Sequence, residues 1–399
     1  MPSFPRIPAA FLRAPATAAA GVTPLGWTMA ALAGACWLAG GLLGWQEALI
    51  AALALSLVLA AAVVFVLGRQ AYSVRLDLAR TRVAVGDDAV GSLTVANPGA
   101  RLLLPALLEL PVGAATAVFE LPRMAPGEEH EELFRIPTQK RAVIVVGPVE
   151  SVRRDPFGLL GRRLRWTDPV DLFVHPRTVN LQGSATGFIK DLEGLPTRDL
   201  STADVSFHAL REYVPGDDRR HIHWKTTART GTLMVRQFEE TRRSHLAVAL
   251  SARGADYGSE QEFELAVSAA GSLGLQALRE QRDLSMLTQD GLLRSGSGTI
   301  LLDGMTRLET ADRREGIRDL AGLTADTVPN ASVVILVTGS VPGAGELRSA
   351  AAAIPPGIRT LAVRCVEGEV PGRRDIADLT VLTCGSLDDL PALIRKGTA

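Results

Sequence analysis

The sequence predicts two N-terminal transmembrane α-helices, then an all-β sandwich-like domain, then an α/β doubly wound domain. Three observations carry that expectation. Two uncharged runs of membrane-crossing length lie near the start, and short alternating runs broken by Gly, Pro and Asn follow. The C-terminal part alternates apolar strands with amphipathic helices.

The first observation sets the domain at 26–68. Gly26 to Trp45 is a run of 20 residues without charge, and Ala48 to Gly68 a run of 21. At the α-helical rise each spans about 30 Å, the thickness of the hydrocarbon core. Gln46-Glu47 is read as the tight re-entry turn. Trp27 and Trp45 end the first run, where an indole keeps its N–H at headgroup level. Gly34, Gly40, Gly41 and Gly44 are expected to let the two helices approach closely. A signal peptide is a single, shorter stretch, which argues against that alternative. Arg6 and Arg13 precede the hairpin, Arg69, Arg75, Arg80 and Arg82 follow it, and the turn carries only Glu47. Positive charge stays inside, so the expectation is a multi-pass inner-membrane protein with a cytoplasmic tail (1–25) and cytoplasmic soluble domains.

Composition limits the remainder. A chain of 399 residues can hold two or three cores. Lys and Arg number 42 against 43 Asp and Glu, which gives no global electrostatic case for nucleic acid. Cys36, Cys365 and Cys384 are too scattered for a disulfide framework and suit a reducing compartment.

The β-domain is expected over 72–180, from runs such as Ser73–Leu78, Ala89–Ala96 closed by Asn97-Pro98-Gly99, Glu132–Ile136, and Ala142–Val146 closed by Gly147-Pro148. From 244 to 399 the rhythm changes. Leu246–Leu250, Leu284–Leu287, Val333–Val337, Thr360–Val366 and Leu379–Thr383 read as strands. Helices are expected over Glu260–Gln281, Met305–Leu320, Glu346–Ala353 and from Leu387, which implies a parallel sheet covered on both faces.

Between them, 181–243 holds the densest polar stretch, Ala209 to Gly231. Val214-Pro215-Gly216-Asp217 suits a type II turn, Asp217 or Asp218 can cap a helix over Trp224–Arg229, and Gly231 fits its C′ position. Leu233 to Phe238 then reads as a strand. The order Leu-Arg-Glu-Tyr, Pro-Gly-Asp-Asp, Ile-His-Trp-Lys and Ala-Arg, from Leu210 to Glu240, resembles the signature of the domain-of-unknown-function-58 family. Arg153-Arg154-Asp155-Pro156-Phe157-Gly158-Leu159 resembles a second family element. The resemblance implies a membrane-anchored bacterial protein whose α/β domain is von Willebrand factor A-like, paired with a MoxR-type AAA+ ATPase. Its signature residues here are Arg211, Glu212, Tyr213, Pro215, Gly216, Asp217, Asp218, Arg219, His223, Trp224, Lys225 and Arg229.

Such A-like domains bind Mg²⁺ through an Asp-x-Ser-x-Ser loop after the first strand. Here Ser251-Ala252-Arg253-Gly254-Ala255 offers no carboxylate, and Thr338-Gly339-Ser340 stands where a further Asp is expected. Hard cations need anionic oxygen, so the expectation is a degenerate loop at Ser251, Arg253 and Ala255, with no metal and no cofactor; Asp256 is the nearest carboxylate. His221 and His223 invite a metal-dependent hydrolase reading, but a turn followed by a helix points them apart. The charges of the signature, with Arg220, Arg236, Glu239 and Glu240, are either internal ion pairs or a docking face, and both readings stay open. Gly296-Ser297-Gly298 is read as a flexible turn rather than a nucleotide motif. The expected function is a non-catalytic membrane scaffold for protein–protein interaction, with the hydrolase and a purely structural envelope protein as alternatives.

Overall fold

The computed structural model describes residues 21–67, 72–181, 205–215, 217, 219–240 and 245–398. Gly216 and Asp218 of the signature, Arg6, Arg13 and Arg69 lie outside the described residues. The chain divides into two compact units at His175/Pro176.

The first unit opens with helix α1 (Pro24–Leu43), capped by the Thr23 hydroxyl, which accepts from Gly26 N at 3.0 Å. Pro24 costs nothing there, because the first N–H of a helix has no partner to lose. Gly44 is left-handed at φ +72° and turns the chain at once into α2 (Gln46–Leu67). The connection is therefore Gly44-Trp45, and Gln46 and Glu47 open the second helix instead of forming the turn. Of the four glycines expected at the seam, Gly40 alone permits close approach: a Cβ there would lie 2.5 Å from the Leu49 side chain, whereas Gly34, Gly41 and Gly44 face nothing within 4 Å. Ala33, Ala52 and Ala62 are buried, and Trp37 Nε1 donates to Ser56 Oγ at 3.2 Å across the pair. The outward faces carry exposed Leu38, Leu42, Leu57 and Val64. Both helices are long and apolar enough to cross a membrane, and both leave most of that surface uncovered.

Ten strands follow: β1 (Ser73–Leu78), β2 (Arg82–Ala84), β3 (Ala89–Ala96), β4 (Ala106–Val112), β5 (Ala115–Leu121), β6 (Glu129–Ile136), β7 (Ala142–Val146), β8 (Glu150–Arg154), β9 (Gly161–Arg165) and β10 (Val170–His175). One sheet runs β1-β3-β6; the other runs β2-β10-β7-β4-β8-β9, with β5 paired on β4. Every pairing is antiparallel except β10 with β2, a departure from the purely antiparallel expectation. Alternation does what a period of two requires: Leu93 and Val95 of one sheet and Leu108, Leu110, Leu172 and Val174 of the other share one core.

The second unit begins with a hairpin, β11 (Val205–Glu212) on β12 (Met234–Glu240), enclosing a 3-10 turn at Arg219–His221 and helix α3 (Trp224–Thr230). The α/β part then comprises β13 (His245–Leu250), α4 (Glu260–Arg279), β14 (Asp283–Thr288), β15 (Gly291–Leu293), α5 (Gly298–Thr306), α6 (Ile317–Thr327) and β16 (Val333–Thr338). It closes with α7 (Ala344–Ala351), β17 (Arg359–Cys365), β18 (Gly372–Ile376), β19 (Leu379–Cys384) and α8 (Leu390–Thr398). Strand order is β15-β14-β13-β16-β17-β19-β18, with the five central strands parallel. Leu246, Val248 and Leu250 pack toward α4, α5 and α8, while Ala247 and Ala249 pack toward α6 and α7. The sheet is covered on both faces, as apolar strands demand.

Three expectations change. The helix placed at Met305–Leu320 is two helices, α5 and α6. Ser297 is no flexible turn: its hydroxyl accepts from Ile300 N at 3.3 Å and caps α5. Strand β18 had no period-two apolar signal, because Gly372-Arg373-Arg374-Asp375-Ile376 is a polar edge strand. Cys365 and Cys384 are buried free thiols on neighbouring strands, and Cys36 is half-buried.

Candidate functional site: the strand-end loop and the signature face

β13 leads to β14 on one side and β16 leads to β17 on the other, so the carboxyl ends of β13 and β16 flank a topological switch point, the usual crevice of doubly wound sheets. After β13 the chain makes a 3-10 turn at Gly254–Asp256. The Ser251 hydroxyl donates to Asp256 Oδ2 at 2.6 Å, and Arg253 Nη1 lies 3.3 Å from Asp256 Oδ1. Gln289, one residue past β14, donates from Nε2 to Ser251 Oγ at 3.0 Å and accepts from Ala252 N at 2.7 Å. The buried Tyr257 hydroxyl donates to Ser251 O at 2.6 Å. Gly339 is required here, because a Cβ would meet Asp256 O and the Tyr257 ring, each at 2.5 Å. Glu262 accepts from Gly258 N at 2.8 Å, Ser340 N at 3.1 Å and Ser340 Oγ at 2.8 Å, tying the start of α4 to the loop after β16.

Burial pushes the Asp256 carboxyl up, partly opposed by the Ser251 hydrogen bond and by Arg253. Burial likewise raises Tyr257 well above its ordinary value. The neighbouring Cys384 thiol and burial raise Cys365 well above the usual thiol range, so it is no thiolate nucleophile. The donor set does not fit a hard cation: Asp256 already carries a guanidinium and a hydroxyl, Glu262 is taken by backbone and hydroxyl donors, and Ala255 supplies no side-chain oxygen. Among the described residues no group of three or more His, Cys, Asp or Glu converges on a metal position.

The signature segment is arranged differently. Arg211 holds Asp217 in two hydrogen bonds of 2.8 and 2.6 Å, and Asp217 also accepts from Val214 N at 2.9 Å. The Arg211 hydrogen bond first, and the Val214 amide second, hold the Asp217 carboxyl below its ordinary value; Arg211 is raised in turn. Asp217 N donates to Val214 O at 3.0 Å, closing the expected turn around Pro215. The helix cap expected from Asp217 or Asp218 comes instead from His223, whose Nδ1 accepts from Thr226 N at 3.3 Å and lies 2.7 Å from Thr226 Oγ1. Asp217 is too far back in the chain once the 3-10 turn intervenes. Gly231 takes the left-handed C-terminal position at φ +77°. Tyr213 N donates to Leu233 O, and Ile222 is buried against Val235. Glu212, Arg219, Trp224, Lys225 and Arg229 are exposed, and Trp224 keeps 66% of its surface in solvent. One pair of the charge cluster is thus internal, while four charged side chains and an indole face outward.

Gln289 and Glu262 went unnoticed in the sequence. The rule that ligands gather beyond the carboxyl ends of parallel strands marks Gln289 by position alone; nothing marks Glu262.

Residues 209–321, from within β11 into α6, match the family described as Protein of unknown function DUF58. The match to DUF58 covers this segment of the chain. The matched segment includes both the signature face and the Ser251–Asp256 loop. No curated protein matches the chain. Among solved structures, the CARDB domain of a Pyrococcus furiosus protein is similar at 12% identity, covering 26% of this chain and 92% of that one, with a TM-score of 0.20. A β-glucosidase from Erythrobacter marinus is similar at 11% identity over 25% of this chain and 15% of that one, TM-score 0.18. The alkylpurine DNA glycosylase AlkC of Pseudomonas fluorescens is similar at 12% over 35% and 43%, TM-score 0.21. Likeness at this level carries no argument about fold or activity.

Proposed function

We propose that this protein is a non-catalytic membrane scaffold: the 26–68 hairpin holds it in the bacterial inner membrane, and the cytoplasmic signature face around Trp224 binds a protein partner. The family resemblance names a MoxR-type AAA+ ATPase as that partner and an A-like domain as the platform. The strand order of the α/β part, with its loop at the switch point, supports the platform reading. The observation that carries the proposal is Trp224. An indole left exposed on a helix capped by His223 and Gly231 contributes little to its own fold. Exposed aromatics flanked by cations, here Lys225, Arg229 and Arg219, are the composition of interface hot spots. His223 is engaged in its helix cap, Glu262 by backbone and hydroxyl donors, Cys365 is a buried thiol, and the raised Asp256 carboxyl is closed on Ser251 and Arg253, which supports a binding role.

The test is affinity capture of the tagged full-length protein from native membranes, compared with Trp224→Ala. Recovery of an AAA+ ATPase that falls at least about tenfold with the variant is the expected result. Recovery of no ATPase, or equal recovery by both proteins, refutes the proposal. A C-terminal tag reached by a protease only after permeabilisation checks the sidedness.

A further inference from the structure

Where the β-domain meets the hairpin, it is tied to both ends of the membrane segment. The turn between β8 and β9, Asp155 to Leu160, is built by the buried Asp155 carboxylate, which accepts from Phe157 N at 2.8 Å and from Leu160 N, with Gly158 left-handed at φ +68°. That turn grips the start of α1. Thr23 N donates to Leu159 O at 3.0 Å, and Thr23 Oγ1 lies 2.9 Å from Leu159 O and 2.8 Å from Gly158 O. Gly161 N donates to Gly21 O at 2.6 Å, and Val22 bridges Leu160. A Cβ on Gly26 would fall 2.2 Å from Leu159 O, so the turn lies directly against the first helical turn. At the other end, Tyr72, five residues after Leu67, donates its hydroxyl to Leu104 O at 3.1 Å.

The sheet register brings these two attachments to one end. Leu107 pairs with Val152 in the antiparallel β4–β8 pair, so Leu104 and Asp155 lie beyond that pair on the same side. Three large apolar side chains are exposed on that end: Phe157 at 54%, Leu102 at 56% and Leu104 at 51%. Arg101 and Arg123 are exposed beside them, and Arg162 is half-buried next to the turn. Of the acids here, Asp155 is closed on backbone amides, Glu128 accepts from Ala125 N at 2.6 Å, and Glu120, opposite Leu107, is exposed. Trp27, one residue past Gly26, is exposed at the level expected of an interfacial indole.

We propose that the 101–104 loop and the 155–160 turn are seated in the headgroup layer of the bilayer, with Phe157, Leu102 and Leu104 as the inserted side chains. This rests on the reading that the hairpin spans a membrane. Helix α1 starts at Pro24, so what is packed on Thr23 and Gly26 sits where the chain enters the hydrocarbon. Apolar side chains held there gain by leaving water, and neighbouring arginines favour anionic headgroups. The family-like Asp155-Pro156-Phe157-Gly158 element thereby fixes the domain against the membrane.

The experiment uses full-length protein in a Cys36→Ala background, where the buried Cys365 and Cys384 stay unlabelled. Nitroxides are placed at Phe157→Cys, Leu104→Cys, Leu57→Cys in the hairpin, and Ala114→Cys in the β4–β5 turn at the far end of the sheet. That turn lies beyond a strand about 23 Å long. In liposomes, oxygen and a polar nickel chelate report depth. Labels at 157 and 104 are expected to favour oxygen like the label at 57, and more so with phosphatidylglycerol present, while the label at 114 favours nickel. Labels at 157 and 104 as aqueous as at 114, with Leu57 lipid-exposed, overturn the proposal and leave the hairpin reading standing. An aqueous label at 57 removes both.

Discussion

The Ser251–Asp256 loop and the signature face sit in one matched segment and solve the problem of charge in opposite ways. In the loop, the Asp256 carboxylate is buried and meets its own hydroxyl, guanidinium and amide-supported neighbours. On the face, the Arg211–Asp217 pair closes a turn, and Glu212, Arg219, Trp224, Lys225 and Arg229 are left to solvent. The difference teaches where to look for function. A polar network that satisfies itself specifies structure, whereas an exposed indole with unshared cations is open to a partner.

That contrast breaks first at Asp256. Asp256→Ala strands Arg253 and the Ser251 hydroxyl, and the expected loss is roughly 2–4 kcal/mol, or about 5–10 °C in Tm of the full-length protein in detergent. A shift under about 2 °C refutes the closed-network reading. The pH dependence sharpens it. Burial raises the folded-state pKa of Asp256, so the folded protein keeps a proton that the unfolded chain releases. Stability from this site is full below the ordinary carboxylate value and is lost as pH rises through the raised one. Asp256→Asn should flatten that slope in Tm measured across the same window. Gly339→Ala comes next: its Cβ would push on Asp256 O and Tyr257, an overpacking cost of about 1–3 kcal/mol, read again as lowered Tm.

What was legible in the sequence follows what is periodic or local. The two uncharged runs, the alternation through Ala89–Ala96 and the apolar strand Val333–Thr338 each report burial directly, and each is found in the structure within a few residues. The Val214–Asp217 turn closure and the left-handed Gly231 were legible because Pro and Gly at such positions select few local conformations. The cap by His223 was not, since imidazole rarely serves and Asp217 was already committed to Arg211. The break between α5 and α6 was hidden by apolar residues on both sides, Met305 and Ile317, which mimic one continuous face. The Ser251–Gln289–Asp256 network joins the ends of two strands 38 residues apart, and such partners are set by tertiary register alone.

The smallest effect is expected on the face. Asp217→Asn removes the charge that Arg211 holds, yet both groups stand in high-dielectric surroundings, where exposed ion pairs contribute little. Its folded pKa is lowered, so its contribution is present above the ordinary carboxylate value and lost as pH falls through the lowered one. Tm at neutral pH should move by no more than about 2 °C. Partner capture, by contrast, should weaken, because the turn that sets the angle of the Trp224 helix loses its brace. A Tm loss equal to that of Asp256→Ala would mean the signature is a buried structural knot, and the distinction between a closed loop and an open face would go with it.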